Sequence, residues 1–426
     1  MNAVGPCPGR RLAPRRSLRS REMRRLVLLL SLTGLLGAVA VAGAGPASAT
    51  TPLPAQWQKG LNVTAFWWSD LSGKTFRTWL QRARTRAHAD TVTFVVTWYQ
   101  PTLGSTKIAP SYGTKRSCGD VGDRWTRCKT PSMAALKAAI RAAKAQGLKV
   151  GIRPQVDVGT RSANARPREQ IDLRGDKRKA WFKSYSNLLS QYGRLARDTG
   201  SDALVVGADL SGMTNEPADL DYWRHLVDDM RSGKLLGDGG GFTKELTYAM
   251  TWKEALLEAA DPAVHRFVWD TLNTTGIDAY FPLVSVKAPH DDPSVAVLRE
   301  GWADAVTAVR AIHAEYDKPV TLTGLGYLSR LGTSVAPDNG DAQQAANGGR
   351  LSQTAQSRPV QAAFDVWSAV GSETDGSWFQ GIWWWEWPAS GRGGPKDGSH
   401  SLEGKRAQAV VCRRHVGNDT ARCPIR

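Results

Sequence analysis

The chain has 426 residues, 41% of them hydrophobic, and 56 lysines and arginines against 39 aspartates and glutamates give a net charge of +17. That apolar content suits a large packed core and excludes a disordered chain. The positive charge is scattered, with no dense basic helix and no nucleic-acid motif, so it reads as a basic surface and nucleic acid is excluded as a partner.

The first stretch has the form of an export signal. Arginines crowd Arg10 to Arg25, an apolar run follows from Leu26 to Ala42, and Ala47-Ser48-Ala49 offers the small residues of a cleavage site. Cleavage after Ala49 leaves residues 50–426 as a secreted domain, exported by the Sec or, from the pair Arg24-Arg25, the twin-arginine route. No later run is long enough to span a membrane. Removing residues 1–49 takes away eight arginines and one glutamate, and the remaining 48 basic and 38 acidic residues leave +10. The four cysteines beyond the signal form two local pairs, Cys118 with Cys128 and Cys412 with Cys423, read as disulfides of an exported chain. Their spacings are too wide for CxxC zinc ligation, and no histidine pair accompanies them.

Strands and helices then alternate. Lys59–Trp67 is a first strand, and Lys74–His88 a helix. Thr91–Trp98, nearly all β-branched or aromatic, is a strand buried on both faces. After the first cysteine pair, Thr130 and Pro131 open a helix that Gly147 ends. Strands are expected at Leu148–Ile152, Ala203–Val206, Leu246–Trp252, Gly276–Phe281 and Pro319–Thr323. Helices are expected at Lys177–Thr199, Leu220–Arg231, Gly301–Tyr316 and Pro359–Val370. Gly332–Gly349, rich in glycine, asparagine and glutamine, is expected to be a lid or a surface excursion. The eighth strand lies in Phe379–Pro388, FQGIWWWEWP, and Ser401–Val411 is a last helix. Eight alternations imply an α/β fold, a single (β/α)8 TIM barrel over residues 50–426. A doubly wound sheet would carry a glycine-rich phosphate turn after its first strand. Here that strand ends in Phe66-Trp67-Trp68.

Active sites of such barrels lie on the loops after the strands. The residues there are Trp67, Trp68, Trp98, Arg153, Trp252, Asp278, Tyr280, Trp385 and Trp387, all candidates for substrate binding. Indole faces lie flat on pyranose rings while polar tips meet hydroxyls, so the pattern suits an oligosaccharide or polysaccharide. In the eighth strand, alternation puts Trp383 and Trp385 on one face and Trp384 with Glu386 on the other. Glycoside cleavage usually takes two carboxyl groups. Asp209, Glu386 and Glu216 are the catalytic candidates. The plainer alternatives are a Glu386 paired with a core arginine, a Glu216 stabilising a helix start, and an Asp278 bonded to backbone.

Several segments together resemble glycoside hydrolase family 113, clan A barrels acting on β-mannans. They are Lys59-Gly60-Leu61-Asn62 with Phe66-Trp67, Val205–Leu210 (VVGADL), Gly276–Leu283 (GIDAYFPL), Thr323–Tyr327 (TGLGY) and the closing Trp-rich strand. The resemblance implies a retaining glycosidase with an acid/base glutamate ending strand four and a nucleophilic glutamate ending strand seven. This chain departs at both places. Asp209 stands where the first glutamate is expected, and Gly324 where the second is. Three readings follow. Glu386 replaces the nucleophile or serves as base, with Asp209 or Glu216 as acid; or the barrel binds glycans without cutting them; or it performs transglycosylation or a substrate-assisted reaction. A monomer needing no metal or other cofactor is expected in each.

Overall fold

The computed structural model describes residues 52–112, 128–159, 166–261, 269–285, 292–338, 349–417 and 419–423. The expected signal, Cys118 and most of the Gly332–Gly349 excursion lie outside them. Eight parallel strands form the centre: β1 (Gln58–Ala65), β2 (Thr91–Gln100), β3 (Lys149–Val158), β4 (Ala203–Ala208), β5 (Glu245–Thr251), β6 (Thr274–Asp278), β7 (Val320–Leu325) and β8 (Phe379–Pro388). Each pairs with the next, and β8 pairs with β1, which closes a (β/α)8 TIM barrel. A two-residue strand, Ala109–Pro110, adds antiparallel to the end of β2.

The surrounding helices are α1 (Gly73–Thr85), α2 (Met133–Ala145), α3 (Gly175–Thr199), α4 (Asp219–Ser232), α5 (Trp252–Ala260), α6 (Val295–Glu300), α7 (Ala303–Tyr316), α8 (Gln353–Gly371) and α9 (Arg406–His415). Helix starts depart from the sequence expectation where the capping residue was misjudged. Ser132, not Thr130, caps α2 by accepting from Ala135 N at 3.1 Å. Thr130 is buried and donates its hydroxyl to Thr97 O instead. Helix α8 begins six residues before Pro359, because Ser352 accepts from Ala355 N and the proline sits inside the helix. The expected last helix, Ser401–Val411, starts later, at Arg406. Helix α5, absent from the sequence reading, follows β5 directly through a capping box of Thr251 and Glu254. Cys412 and Cys423 form the expected disulfide. No helix among the described residues is long and apolar enough to cross a membrane.

The strands present two faces with different chemistry. Leu61, Val63, Phe94, Ile152, Leu204, Met250, Ile277, Leu322 and Trp384 belong to the large apolar layer between barrel and helices. Inside the barrel, Trp383 packs on Ala203, Val205, Ala208 and Ala249 as a separate small cluster. Above it the interior turns polar, with Asn62, Thr64, Thr323, Arg153 and Gln155 all buried.

One indole plugs the barrel, so its neighbours must be small. A Cβ on Gly60 would stand 2.0 Å from Trp383 Cδ1. Overpacking a dense interior costs roughly 1–3 kcal/mol. Gly60→Ala is therefore expected to lower unfolding stability by about that amount, read from the urea midpoint.

Candidate active site

Strand β8 departs from simple alternation, and the departure builds the site. Leu61 of β1 pairs with Trp384, but Val63 pairs with Trp387, so β8 carries one extra residue in this interval. Trp384 and Trp387 both face outward. Trp384 packs on Phe364 of α8, and Trp387 packs on Trp79 and donates its indole N–H to Trp79 O at 2.9 Å. The two residues between them, Trp385 and Glu386, joined by a cis peptide bond, both turn toward the barrel axis. Trp385 is half-buried with Arg153 over its ring, and Glu386 accepts from the Thr64 hydroxyl at 2.7 Å. The expectation that Glu386 shares the Trp384 face is thus corrected by the bulge.

Arg153, on β3, stands at the centre. It is 1% exposed. Its Nη1 donates to Asp278 Oδ1 at 2.9 Å and its Nη2 donates to Asp278 Oδ2. The same Nη2 lies 3.6 Å from Asp209 Oδ2. Asp278 Oδ1 also accepts from the Thr323 hydroxyl at 2.9 Å. Both oxygens of Asp278 are therefore occupied by side chains, not by the backbone alternative. A guanidinium this deep needs a carboxylate fork to offset its lost hydration.

Asp209 lies just past β4 and is half-buried. Its backbone is left-handed, φ 52°, a region that aspartate enters more readily than most side chains. Asp209 N donates to Ala249 O at 3.0 Å, and the next amide, Leu210 N, donates to the Tyr248 phenol at 2.9 Å, so the position is pinned on both sides. Burial pushes the Asp209 carboxyl well above the ordinary carboxylate range, and the Asp278 charge adds to this. Arg153 and Arg168 act in the opposite sense. Arg168 was not foreseen. It stands on a short 3-10 turn after β3 and reaches back to Gln155 Oε1 at 2.7 Å, to Asp157 Oδ1 and to Asp209 Oδ2 at 3.4 Å.

Tyr280 ties the carboxylates together. Burial first, then the charges of Asp278, Asp209 and Glu386, raise its phenol far above the usual value. The Tyr280 ring is half-buried and its contact with His400 is edge-on. Glu386 has a second, exposed contact, Arg392 Nη2, at 3.4 Å. Thr64 carried no signal in the sequence, because it meets Glu386 only when β8 pairs with β1, and Arg392 reaches back from the loop directly after β8.

Other expected residues are placed elsewhere. Glu216 sits in a separate group with Arg174 and Arg178, and no hydrogen bond or ion pair joins it to Asp209 or Asp278. Trp98 and Trp387 are corrections. Both are buried in the layer between barrel and helices, Trp98 donating to the Tyr192 phenol at 2.9 Å, so neither face is open to a ligand. Strand parity decides this, since even-numbered residues of β2 face outward. Trp67 and Trp68 remain half-buried on the loop after β1. Trp252 begins α5 half-buried, with its ring beside Phe281. His88, Cys412 and Cys423 have metal-ligand spacing, but both sulfurs are consumed by the disulfide.

Removing one member of a buried pair strands the other charge and costs about 3–5 kcal/mol. Arg153→Met is expected to lose that much stability at neutral pH. The loss should shrink as pH falls, because the Asp209 carboxyl, whose proton affinity burial already raises, then becomes neutral and leaves less uncompensated charge. Urea unfolding at two pH values measures both.

The comparisons with known proteins agree with the barrel fold. The profile of Glycoside Hydrolase Family 113 matches residues 81–401. The chain is similar in fold to a GH113 β-1,4-mannanase solved as a complex, at 19% identity and a TM-score of 0.64, covering 86% of this chain and 99% of the other. It is likewise similar to the GH113 β-mannanase of Alicyclobacillus acidocaldarius in complex with ManMIm, at 20% identity and a TM-score of 0.63, covering 86% and 98%. A comparison with curated protein sequences finds no match. On the extent of the family match, the chain belongs to glycoside hydrolase family 113.

Proposed function

We propose that this protein is a secreted glycoside hydrolase acting on a β-linked mannan-type polysaccharide at the C-terminal mouth of its barrel. Asp209 is the proton donor and Glu386 the second carboxylate. The observation that carries this is the gathering of Asp209 and Asp278 on Arg153 beside the half-buried Trp385, with Glu386 next to it in the chain and turned inward onto Thr64. The family membership and the β-mannanase neighbours support the substrate class.

The roles follow from the environments. A general acid must hold its proton at working pH, and burial raises the proton affinity of the Asp209 carboxyl. Asp278 is fully engaged by Arg153 and Thr323, which suits a fixed countercharge. Glu386 is held by the Thr64 hydroxyl on one oxygen and by the longer contact to Arg392 on the other. Trp385 supplies the apolar floor for a pyranose ring. In hydrolysis, the Asp209 proton passes to the leaving glycosidic oxygen as the C–O bond breaks. Glu386 either attacks the anomeric carbon, forming a glycosyl ester that water then cleaves while the ionised Asp209 takes that water's proton, or itself takes a proton from water attacking directly.

A second reading is supported by Gly324. With no side chain there, the strand-seven carboxylate of the family pattern is missing, and a barrel that binds glycans without turnover is the alternative.

Assays of the mature domain on mannan, glucan, xylan and chitin oligomers separate the two. Turnover of β-mannan is expected. Asp209→Asn and Glu386→Gln should each lower kcat/KM by about 10²–10⁴, the range of a lost general acid or base. Activity should fall as pH rises through the elevated Asp209 value, because the donor is then ionised. Equal rates for wild type and the double variant would overturn these roles. Binding without turnover on every polymer would favour the glycan-binding reading.

A further inference from the structure

Between β6 and β7 the mouth of the barrel has room for one side chain beside Arg153, and Asp278 fills it. Asp278 on β6 and Gly324 on β7 are direct partners in the parallel pairing. A register shift brings them together, since Gly276 pairs with Thr321 but Asp278 with Gly324. A Cβ built on Gly324 would stand 2.6 Å from Asp278 Oδ1 and 2.9 Å from its carboxyl carbon. Those approaches are closer than real Cβ atoms make, and the atoms met are pinned by Arg153 and Thr323 rather than free to swing away. Gly324 shows no left-handed φ. Space, not backbone conformation, demands glycine there.

We propose that Asp278 and Gly324 are a matched pair in which a strand-six carboxylate fills the volume of a strand-seven side chain, making Asp278 the residue that positions Asp209 through Arg153. The assignment rests on reading the barrel mouth as a glycan site. It differs from the catalytic roles above because Asp278 does not touch the reacting atoms. Its side chain is 6% exposed against 17% for Asp209.

Arg153 is the coupling element. Its Nη2 serves Asp278 and Asp209 together, so a guanidinium released by one carboxylate is free to pair with the other. The charged and titratable groups acting on Asp209 are Asp278 from β6, Arg153 from β3, and Arg168 and Glu169 from the turn after β3. Asp209 in turn acts on the phenols of Tyr248 and Tyr280. Neutralising Asp278 removes a repulsion from this set and lets Arg153 move toward Asp209. Both changes favour the ionised form of Asp209.

The test compares wild type with Asp278→Asn, Asp278→Gly, Gly324→Asp and the exchange Asp278→Gly with Gly324→Asp. Asp278→Asn keeps the shape, and should move the alkaline limb of the pH profile downward by roughly one unit, as loss of a nearby like charge does. The profile is taken from kcat/KM or, should wild type lack turnover, from the pH dependence of mannooligosaccharide binding by calorimetry. Thermal midpoints need no ligand. Gly324→Asp and Asp278→Gly should each lower the midpoint, and the exchange should recover part of the loss because one carboxylate again faces Arg153. An alkaline limb unmoved by Asp278→Asn would overturn the positioning role. An exchange no more stable than the worse single variant, or a Gly324→Asp protein with a wild-type midpoint, would overturn the matched pair. Absence of turnover in wild type would instead count against the hydrolase reading alone.

Discussion

A guanidinium buried inside a barrel is the constraint that organises this molecule's working end. Arg153 carries its charge into a space closed to bulk solvent, and desolvation of a cation is too costly to leave uncompensated. Asp278 supplies the fork that compensates it, Thr323 fixes that fork, and Asp209 takes the remaining reach of the same nitrogen. The polar interior of β1, β3, β6 and β7 follows from this choice. So does the glycine at 324, which the carboxylate excludes from having a side chain.

The second organising feature is the division of the aromatic residues. Tryptophan offers a large apolar face, and a barrel can spend it in two ways. Trp384, Trp387 and Trp98 seal the helix layer, where their rings meet Phe364, Trp79 and Tyr192. Trp383 plugs the barrel floor, and Trp385 stays half-buried above it at the mouth. Which tryptophan serves which purpose depends on a single extra residue in β8. Without that bulge Glu386 would face the helices, in apolar surroundings.

The fold was legible because its signals are local. Period-two alternation, apolar runs, and glycine and proline punctuation are properties of neighbouring residues, and they repeat eight times along this chain. That residues following the strands would share one end of the barrel was legible for the same reason, since the C-terminal ends of barrel strands share one face by topology. Helix boundaries were less so. Thr130 and Ser132 are both competent caps, and the choice fell to which hydroxyl the packed barrel claimed first.

By itself, then, the amino-acid order determined an eight-stranded α/β barrel, an aromatic and acidic rim, and a strand-seven position without a carboxylate. Only the tertiary structure decided that Trp98 and Trp387 face helices, that Glu216 belongs to another arginine group, and that Arg168, Thr64 and Arg392 surround the acids. The reason is that register and bulges are settled between strands distant in sequence. Asp278 finds Arg153 across 125 residues and Glu386 finds Thr64 across 322. No pattern within one strand encodes which of two faces such a partner will meet.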